Sequence, residues 1–151
     1  MANRRTAREQ LMRLIYQMSV TGDWSDEEQA GFLAEHPDGG ESPGEGQDAG
    51  TTYFDTVMAA VRGNIEAIDD AIERASDNWK IGRIAKVDLA IIRLAAAEIA
   101  YIPDIPTAVS VNEAVELAKR YGSDKSYEFV NGVLGRIVKD SAPAGDEGES
   151  A

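Results

Sequence analysis

The residues best suited to chemistry in this sequence are one histidine and one pair of neighbouring glutamates. There is no cysteine, and the only histidine, His36, borders a stretch rich in glycine and acidic residues, so neither thiol catalysis nor a histidine-based triad or metal site is expected. Glu113 and Glu116 lie one helical turn apart and resemble paired carboxylates, but structural roles explain them better. Ser110 with Glu113 forms a capping box, and Glu116 precedes Arg120 by four residues. We therefore predict a protein that is not an enzyme and that holds no metal or cofactor.

Arginines are concentrated at the start of the chain. Residues 1–20 carry a net charge of +3, whereas residues 21–50 contain nine acidic residues and no lysine or arginine, so the total of −12 hides a basic N-terminal end. On a helix, Arg5, Met12 and Tyr16 fall on the outward side, away from the apolar stripe. Arginine beside exposed aromatic residues is typical of a binding surface, and arginines at a chain end can bind phosphates. A plain solvated helix explains the same residues equally well.

A second candidate binding surface lies near the C-terminal end of the sequence. Tyr127 falls off the centre of the apolar stripe, beside Lys125 and Ser126. An aromatic ring with an ammonium group nearby can stack a base and hold its phosphate. Gly132 and Gly135 interrupt the last predicted helix, either to allow close helix packing or to leave a flat surface for RNA or a partner.

Hydrophobic periodicity predicts an all-α fold, a bundle of about six or seven helices. One unbroken apolar stripe predicts a single long helix over residues 52–75, with Gly63 on its solvent side. Residues 88–101 are apolar around most of the helical circumference, which predicts a buried central helix. A short helical turn is expected at 78–84, where Trp79 is expected to fill the core between groups of helices.

Two segments lack apolar residues able to anchor a core. The insert 37–50 is rich in glycine, proline and acidic residues, and the tail 141–151 has the same character, so both are predicted to be disordered. The rest of residues 1–140 is expected to form one helical domain. No apolar run is long enough to span a membrane, and no signal-peptide pattern follows the basic N-terminus. A cytoplasmic protein without membrane contact is therefore expected.

Four stretches occur in an order and spacing shared by one known family. They are Asn-Arg-Arg-Thr-Ala-Arg-Glu at 3–9, Leu-Ile-Tyr-Gln at 14–17, Val-Ser-Val-Asn-Glu-Ala-Val-Glu-Leu-Ala-Lys at 109–119 and Phe-Val-Asn-Gly-Val-Leu at 129–134. Between them, Trp79, Asp88 and Glu98 match the central segment of that family. Together these features make residues 3–139 resemble the NusB family of transcription antitermination factors.

The resemblance implies an all-helical fold of two packed sub-bundles without enzymatic activity. It also implies binding to the boxA element of nascent ribosomal RNA together with the ribosomal protein NusE, in an RNA polymerase elongation complex with NusA and NusG. By position, the residues that would face RNA are Arg4, Arg5, Arg8, Lys125, Ser126, Tyr127 and Phe129. Those that would face NusE include Tyr16 and Asp88. The family includes homodimers, and the sequence leaves open whether this chain forms one.

Two alternatives to this function remain open. The same fold serves as the RNA-binding module of certain ribosomal RNA cytosine methyltransferases, which would require a catalytic domain beyond the present sequence. A protein-binding helical adaptor or homodimer without an RNA function would make the arginines incidental. The acidic insert 37–50 departs from the family pattern, and it is expected either to solubilise the protein or to mimic RNA and compete for the basic end.

Overall fold

The computed structural model describes residues 4–36 and 47–141 of the chain. Within those ranges the backbone forms seven α-helices, one short 3-10 turn and no strand, which confirms the predicted all-α fold. The elements are α1 (Arg4–Thr21), α2 (Asp26–Glu35), α3 (Gln47–Gly63), α4 (Ile65–Ala75), the 3-10 turn (Ile81–Arg83), α5 (Lys86–Tyr101), α6 (Thr107–Tyr121) and α7 (Ser126–Ser141). Among the described helices, none is long and apolar enough to cross a membrane.

Helix α5 is the central element of the bundle. Residues 88–98 are buried without interruption, which confirms the predicted central helix. Helix α5 packs against α1 and α3, which also contact each other, and against α4, α6 and α7. The first sub-bundle therefore consists of α1 and α3 with α2 resting on α1, the second consists of α4, α6 and α7, and α5 belongs to both.

The predicted boundaries of the two disordered segments need correction. Residues 37–46 and 142–151 lie outside the described residues, but α3 already begins at Gln47 and α7 continues through Ser141. The last four residues of the predicted insert are therefore helical. Adding a turn to an existing helix is much easier than nucleating one, so a helix continues into a sequence that would not form one alone.

The prediction of a single long helix over residues 52–75 is wrong. The helix is interrupted at Asn64, because α3 ends at Gly63 and α4 begins at Ile65. The Asn64 side-chain amide donates to the carbonyl oxygen of Ala60 at 2.9 Å. That oxygen is the acceptor which the Asn64 backbone N–H would use in an uninterrupted helix, and the N–H instead reaches the carbonyl of Val61 at 3.3 Å. Asparagine thus competes with the helical backbone, and the adjacent glycine favours the departure from helical geometry.

Helix α6 begins before the predicted capping box. Its first residue is Thr107, directly after Pro106, so Ser110 and Glu113 lie inside the helix and do not cap it. A proline is tolerated at a helix start because no intrahelical bond needs its missing N–H. The capping-box prediction was therefore wrong, and both side chains are left to bind neighbouring helices.

Helices α1 and α6 run in the same direction along one side of the molecule. Arg5 near the start of α1 meets Glu113 of α6, and Glu9 one turn further along α1 meets Arg120. This parallel arrangement brings the basic end of the chain against the acidic face of α6, and it determines the surroundings of Arg5, one of the arginines predicted to bind RNA.

Candidate nucleic-acid and partner interfaces

A buried polar cluster joins α1, α3, α5 and α6. Arg8 donates through Nε and Nη2 to the two carboxylate oxygens of Glu98, at 2.9 and 3.2 Å. The Tyr53 hydroxyl and the Ser110 hydroxyl also donate to Glu98, the latter at 2.7 Å. Burial, followed by the charge of Glu98, raises the pKa of the Tyr53 hydroxyl far above its usual range, so that it remains a donor. We call Arg8, Tyr53, Glu98 and Ser110 the Glu98 cluster.

The position of Arg8 speaks against the RNA-facing role predicted for it. Only 6% of the residue is exposed, and its guanidinium pairs with Glu98. Withdrawing Arg8 would leave a buried carboxylate without its cation, which is strongly unfavourable. The two residues lie 90 positions apart, and the sequence gives no sign that this glutamate is buried beside the first helix.

Arg5 stays at the surface, but it is also paired. Its Nε and Nη2 donate to the two carboxylate oxygens of Glu113 at 3.2 and 2.8 Å. The hydrogen bond from Arg5 is the main reason that the pKa of the Glu113 carboxyl is lowered, so this carboxyl is ionised at neutral pH. Arg4 is exposed, and its guanidinium carbon lies 5.1 Å from the centroid of the Tyr53 ring. Among the described residues, Arg4 has no carboxylate partner.

Further along the same contact, α1 and α6 are joined by a second ion pair. Arg120 donates to Glu9, while Glu116 lies 3.7 Å from the Lys119 ammonium. The predicted pair between Glu116 and Arg120 is therefore wrong, because the parallel helix α1 offers Arg120 a carboxylate that no single-helix pattern could reveal. We call the line of charges formed by Arg5, Glu9, Glu113, Glu116, Lys119 and Arg120 the α1–α6 seam.

An apolar groove of about 320 Å³ lies beside this seam. Its lining residues are Met12, Arg13, Tyr16, Val87 and Tyr121. Tyr16 is 40% exposed, which confirms its outward placement, whereas Met12 is buried and was wrongly placed outside. Asp88 follows Val87 in the first turn of α5 and is also buried. Its Oδ1 has no hydrogen-bond partner in the described part of the chain. An exposed tyrosine on an apolar groove suits docking by another protein.

A second apolar surface lies where the α4–α5 connection meets α7. Trp79 is 55% exposed, so the prediction that it fills the core is wrong. The centroid of its ring lies 6.4 Å from that of Phe129, with 42° between the two planes. Both rings line a cavity of about 370 Å³ together with Gly132 and Arg136. We call these four residues the Trp79 corner.

A strained turn holds Trp79 at the surface. Asp77 and Asn78 both adopt left-handed backbone conformations, with φ of 59° and 65°. The Asn78 N–H donates to the Glu73 carbonyl at 2.7 Å, and Arg136 of α7 lies 3.4 Å from the Asp77 carboxylate. Such conformations are uncommon outside glycine, and Asp and Asn tolerate them best. The Asp-Asn dipeptide before Trp79 was the one feature of the sequence that could have indicated an exposed ring.

The two glycines of α7 face open space. A Cβ atom placed on either Gly132 or Gly135 would meet nothing within 4 Å. Close helix packing is therefore not their purpose, while the flat surface that was the other expectation stays a prediction.

The residues predicted at the α6–α7 loop have different surroundings. Ser126 is buried, and its Oγ accepts the backbone N–H of Ser123 at 2.9 Å, so it stabilises the turn and does not face outward. Lys125 and Tyr127 are exposed, and the ammonium of Lys119 lies 5.5 Å from the centroid of the Tyr127 ring. Lys125 and Tyr127 therefore remain candidate contacts for RNA, whereas Ser126 supports the loop that carries them.

These features define an all-α binding protein. The described surfaces present guanidinium and ammonium groups, exposed aromatic rings and an apolar groove. Such groups bind phosphates, stack on bases and dock a protein partner.

Comparison with known proteins identifies the family. The sequence profile of the NusB family matches residues 5–139. Transcription antitermination protein NusB of Natranaerobius thermophilus is 44% identical over 137 residues, which cover 90% of this chain and 94% of that protein. The NusB protein of Bacillus licheniformis is 45% identical over 137 residues, 91% and 97% of the two chains. This chain therefore belongs to the NusB family, and the resemblance noted in its sequence is confirmed.

Solved structures agree with this assignment. The fold matches T. maritima NusB with a TM-score of 0.78 at 33% identity, covering 100% of both chains. It also matches a chain in the crystal structure of antitermination factors NusB and NusE in complex with dsRNA, with a TM-score of 0.73 at 28% identity. That match covers 91% of this chain and 96% of the other.

Proposed function

We propose that this protein is a transcription antitermination factor that binds boxA RNA of nascent ribosomal RNA transcripts together with the ribosomal protein NusE. In doing so it prevents premature termination by RNA polymerase. The observation that carries the proposal is the match to relatives named transcription antitermination protein NusB over nine-tenths of the chain. The likeness to a chain from a complex of NusB, NusE and dsRNA supports both binding partners.

The RNA surface that we propose follows helix α6 from Arg5 to the Trp79 corner. Arg5 contacts α6 at Glu113, and Tyr127 contacts it at Lys119, six residues later, which corresponds to a rise of about 9 Å along the helix. Exposed cations along this line would bind successive phosphates. Exposed rings at Tyr127 and Trp79 would stack unpaired bases, since single-stranded RNA is recognised chiefly by stacking and by backbone contacts.

The NusE surface that we propose is the groove beside Tyr16. A tyrosine on an apolar groove is a typical anchor of a protein interface, because its ring buries a large area and its hydroxyl still finds a partner. We also place Asp88 at this surface, because it directly follows Val87, which lines the groove. We further propose that the resulting complex acts in the cytoplasm with RNA polymerase, NusA and NusG.

A titration of boxA RNA in a salt series, with and without NusE, tests the function. We expect the affinity for RNA to fall steeply with salt, because cations on the protein replace counterions on the RNA. We also expect tighter binding when NusE is present, since each partner would favour the binding of the other. An RNA of the same composition in scrambled order is the matched control. If NusE binds while RNA does not bind at any salt concentration, the protein is instead a helical adaptor, and the proposal fails.

The same samples test for a homodimer by sedimentation. A dimer that dissociates when RNA is added would place the RNA surface inside the dimer interface. A protein that stays monomeric at the highest concentration used would exclude the dimer as the form that NusE and RNA encounter.

A further inference from the structure

Glu113 lies between two arginines of α1 and has a different relation to each. Both of its oxygens accept hydrogen bonds from Arg5, and Oε1 also lies 4.0 Å from Nη1 of Arg8. Arg8 uses Nε and Nη2 for Glu98, so Nη1 is the guanidinium nitrogen that is not bonded to Glu98. Glu113 therefore has Arg5 as a close cationic partner and Arg8 as a second cation within 4.0 Å.

The two partners also differ in exposure. About two-thirds of the Arg5 side chain is exposed (65%), whereas 7% of the Arg8 side chain and 19% of the Glu113 side chain are. Arg5 can leave its position without exposing buried surface, while Arg8 cannot. Of the two arginines of α1 near Glu113, Arg5 is thus the one that an outside ligand can draw away.

The bond to Arg5 has the geometry by which arginine binds phosphate. Two N–H groups of a planar guanidinium meet two oxygens of one anion, which is the arrangement that carboxylates and phosphates share. A phosphate that approaches Arg5 in this way needs the donors that Glu113 already occupies. The carboxylate and the phosphate therefore compete for the same side chain.

We propose that Glu113 is an internal competitor for Arg5 that sets how tightly the first helix binds RNA. In the free protein Glu113 holds Arg5, and when a phosphate of RNA takes Arg5, Glu113 turns to Nη1 of Arg8. Because Arg8 is already in place, the exchange leaves no carboxylate without a cation. This inference rests on the proposed function, since it assumes that the ligand of Arg5 is RNA.

The test compares Glu113→Gln with Glu116→Gln in binding to boxA RNA. Both variants remove one negative charge from α6, but Glu116 lies at 3.7 Å from Lys119 and makes no hydrogen bond to Arg5. At low salt we expect Glu113→Gln to bind the RNA about two- to fivefold more tightly than the unaltered protein, as expected for the loss of a surface ion pair. Because Glu116→Gln frees Lys119 and leaves Arg5 paired, any gain that it brings should be independent of Arg5. Unchanged or weaker binding by Glu113→Gln would overturn the inference.

A double-mutant cycle with Arg5→Ala identifies the route of the effect. We expect Arg5→Ala to weaken RNA binding, and we expect Glu113→Gln to bring no gain in the Arg5→Ala background. A gain that persists without Arg5 would mean a general change of charge and would overturn the inference. Thermal unfolding of all four proteins shows whether each is folded, and the Glu98 cluster is untouched in all of them.

The outcomes separate this inference from the function on which it rests. Absence of RNA binding by the unaltered protein, with and without NusE, overturns the proposed function and this inference together. If the unaltered protein binds boxA RNA and Arg5→Ala binds it equally well, the function stands and only the role of Glu113 is overturned.

Discussion

The Glu98 cluster and the Trp79 corner each place a side chain in the environment that its type disfavours, but in opposite senses. In the Glu98 cluster, charged and polar groups have left water, and Arg8, Tyr53 and Ser110 together satisfy one carboxylate. In the Trp79 corner, a large apolar ring remains in water although a core lies nearby. Residue type alone assigns these positions the wrong way round, with arginine outside and tryptophan inside. The comparison teaches that a polar group with every bond made is structural, whereas an apolar ring held in water by a strained turn is available for binding.

The largest effect is expected from breaking the Glu98 cluster. Arg8→Ala leaves Glu98 buried without a cation, and we expect the free energy of unfolding to fall by about 3–5 kcal/mol, measured by urea unfolding at neutral pH. Arg5→Ala is the matched control, because it removes an exposed arginine and should leave the unfolding midpoint nearly unchanged. Equal stability of the two variants would mean that Arg8 is not structural.

A smaller but selective effect is expected at Tyr16, whose side chain is exposed like that of Trp79. We expect Tyr16→Ala to weaken NusE binding by about 2–4 kcal/mol, as for a central aromatic anchor, measured by calorimetry. RNA binding in the absence of NusE should stay unchanged. A loss of RNA binding as well would show that the two proposed surfaces overlap.

Trp79→Ala tests whether the exposed ring of Trp79 contributes to RNA binding and not to stability. Since the ring packs little against the core, we expect a small change in stability and a loss of about 1–3 kcal/mol in RNA binding, the usual contribution of one stacked base. Trp79→Phe should recover most of the affinity. If Trp79→Ala destabilises the protein as much as Arg8→Ala and leaves the RNA affinity of the folded protein intact, Trp79 is a structural residue and does not bind RNA.

The smallest effects are expected from the two glycines of α7. Gly132→Ala and Gly135→Ala should each stabilise the protein by about 0.5–1 kcal/mol, because alanine favours the helix and meets no neighbouring atom. Gly132 lines the Trp79 corner, so we expect its variant alone to weaken RNA binding slightly. Identical RNA affinities for the two variants would indicate that the bases do not reach α7 there.

Periodicity was sufficient to predict the all-α fold and the buried central helix, because both depend on where apolar residues recur. It could not detect the break at Asn64, since the apolar stripe continues across it and only a side-chain hydrogen bond to Ala60 interrupts the helix. The four sequence motifs, read in their order and spacing, were sufficient to predict the NusB family and, with it, the proposed function.

The sites were harder to predict because they depend on contacts between helices. Arg8 lies at the edge of an apolar stripe, and its burial depends on a carboxylate that another helix brings to it. The same holds for Ser110, whose sequence pattern predicts a helix cap but whose hydroxyl donates to Glu98 of another helix. Trp79 lies outside any periodic segment, so its exposure depends on the backbone of the two residues before it.

Helix α5 is shared by both groups of helices, and this has a consequence for how the protein fails under stress. Because residues 88–98 are covered on all sides by elements from both groups, neither group retains a closed interior once the other has opened. We expect one cooperative unfolding transition, with the amide hydrogens of this stretch exchanging only when the whole molecule opens. Damage that unfolds the helices of one proposed binding surface should therefore abolish the other as well, so we expect both proposed binding activities to be lost at the same temperature.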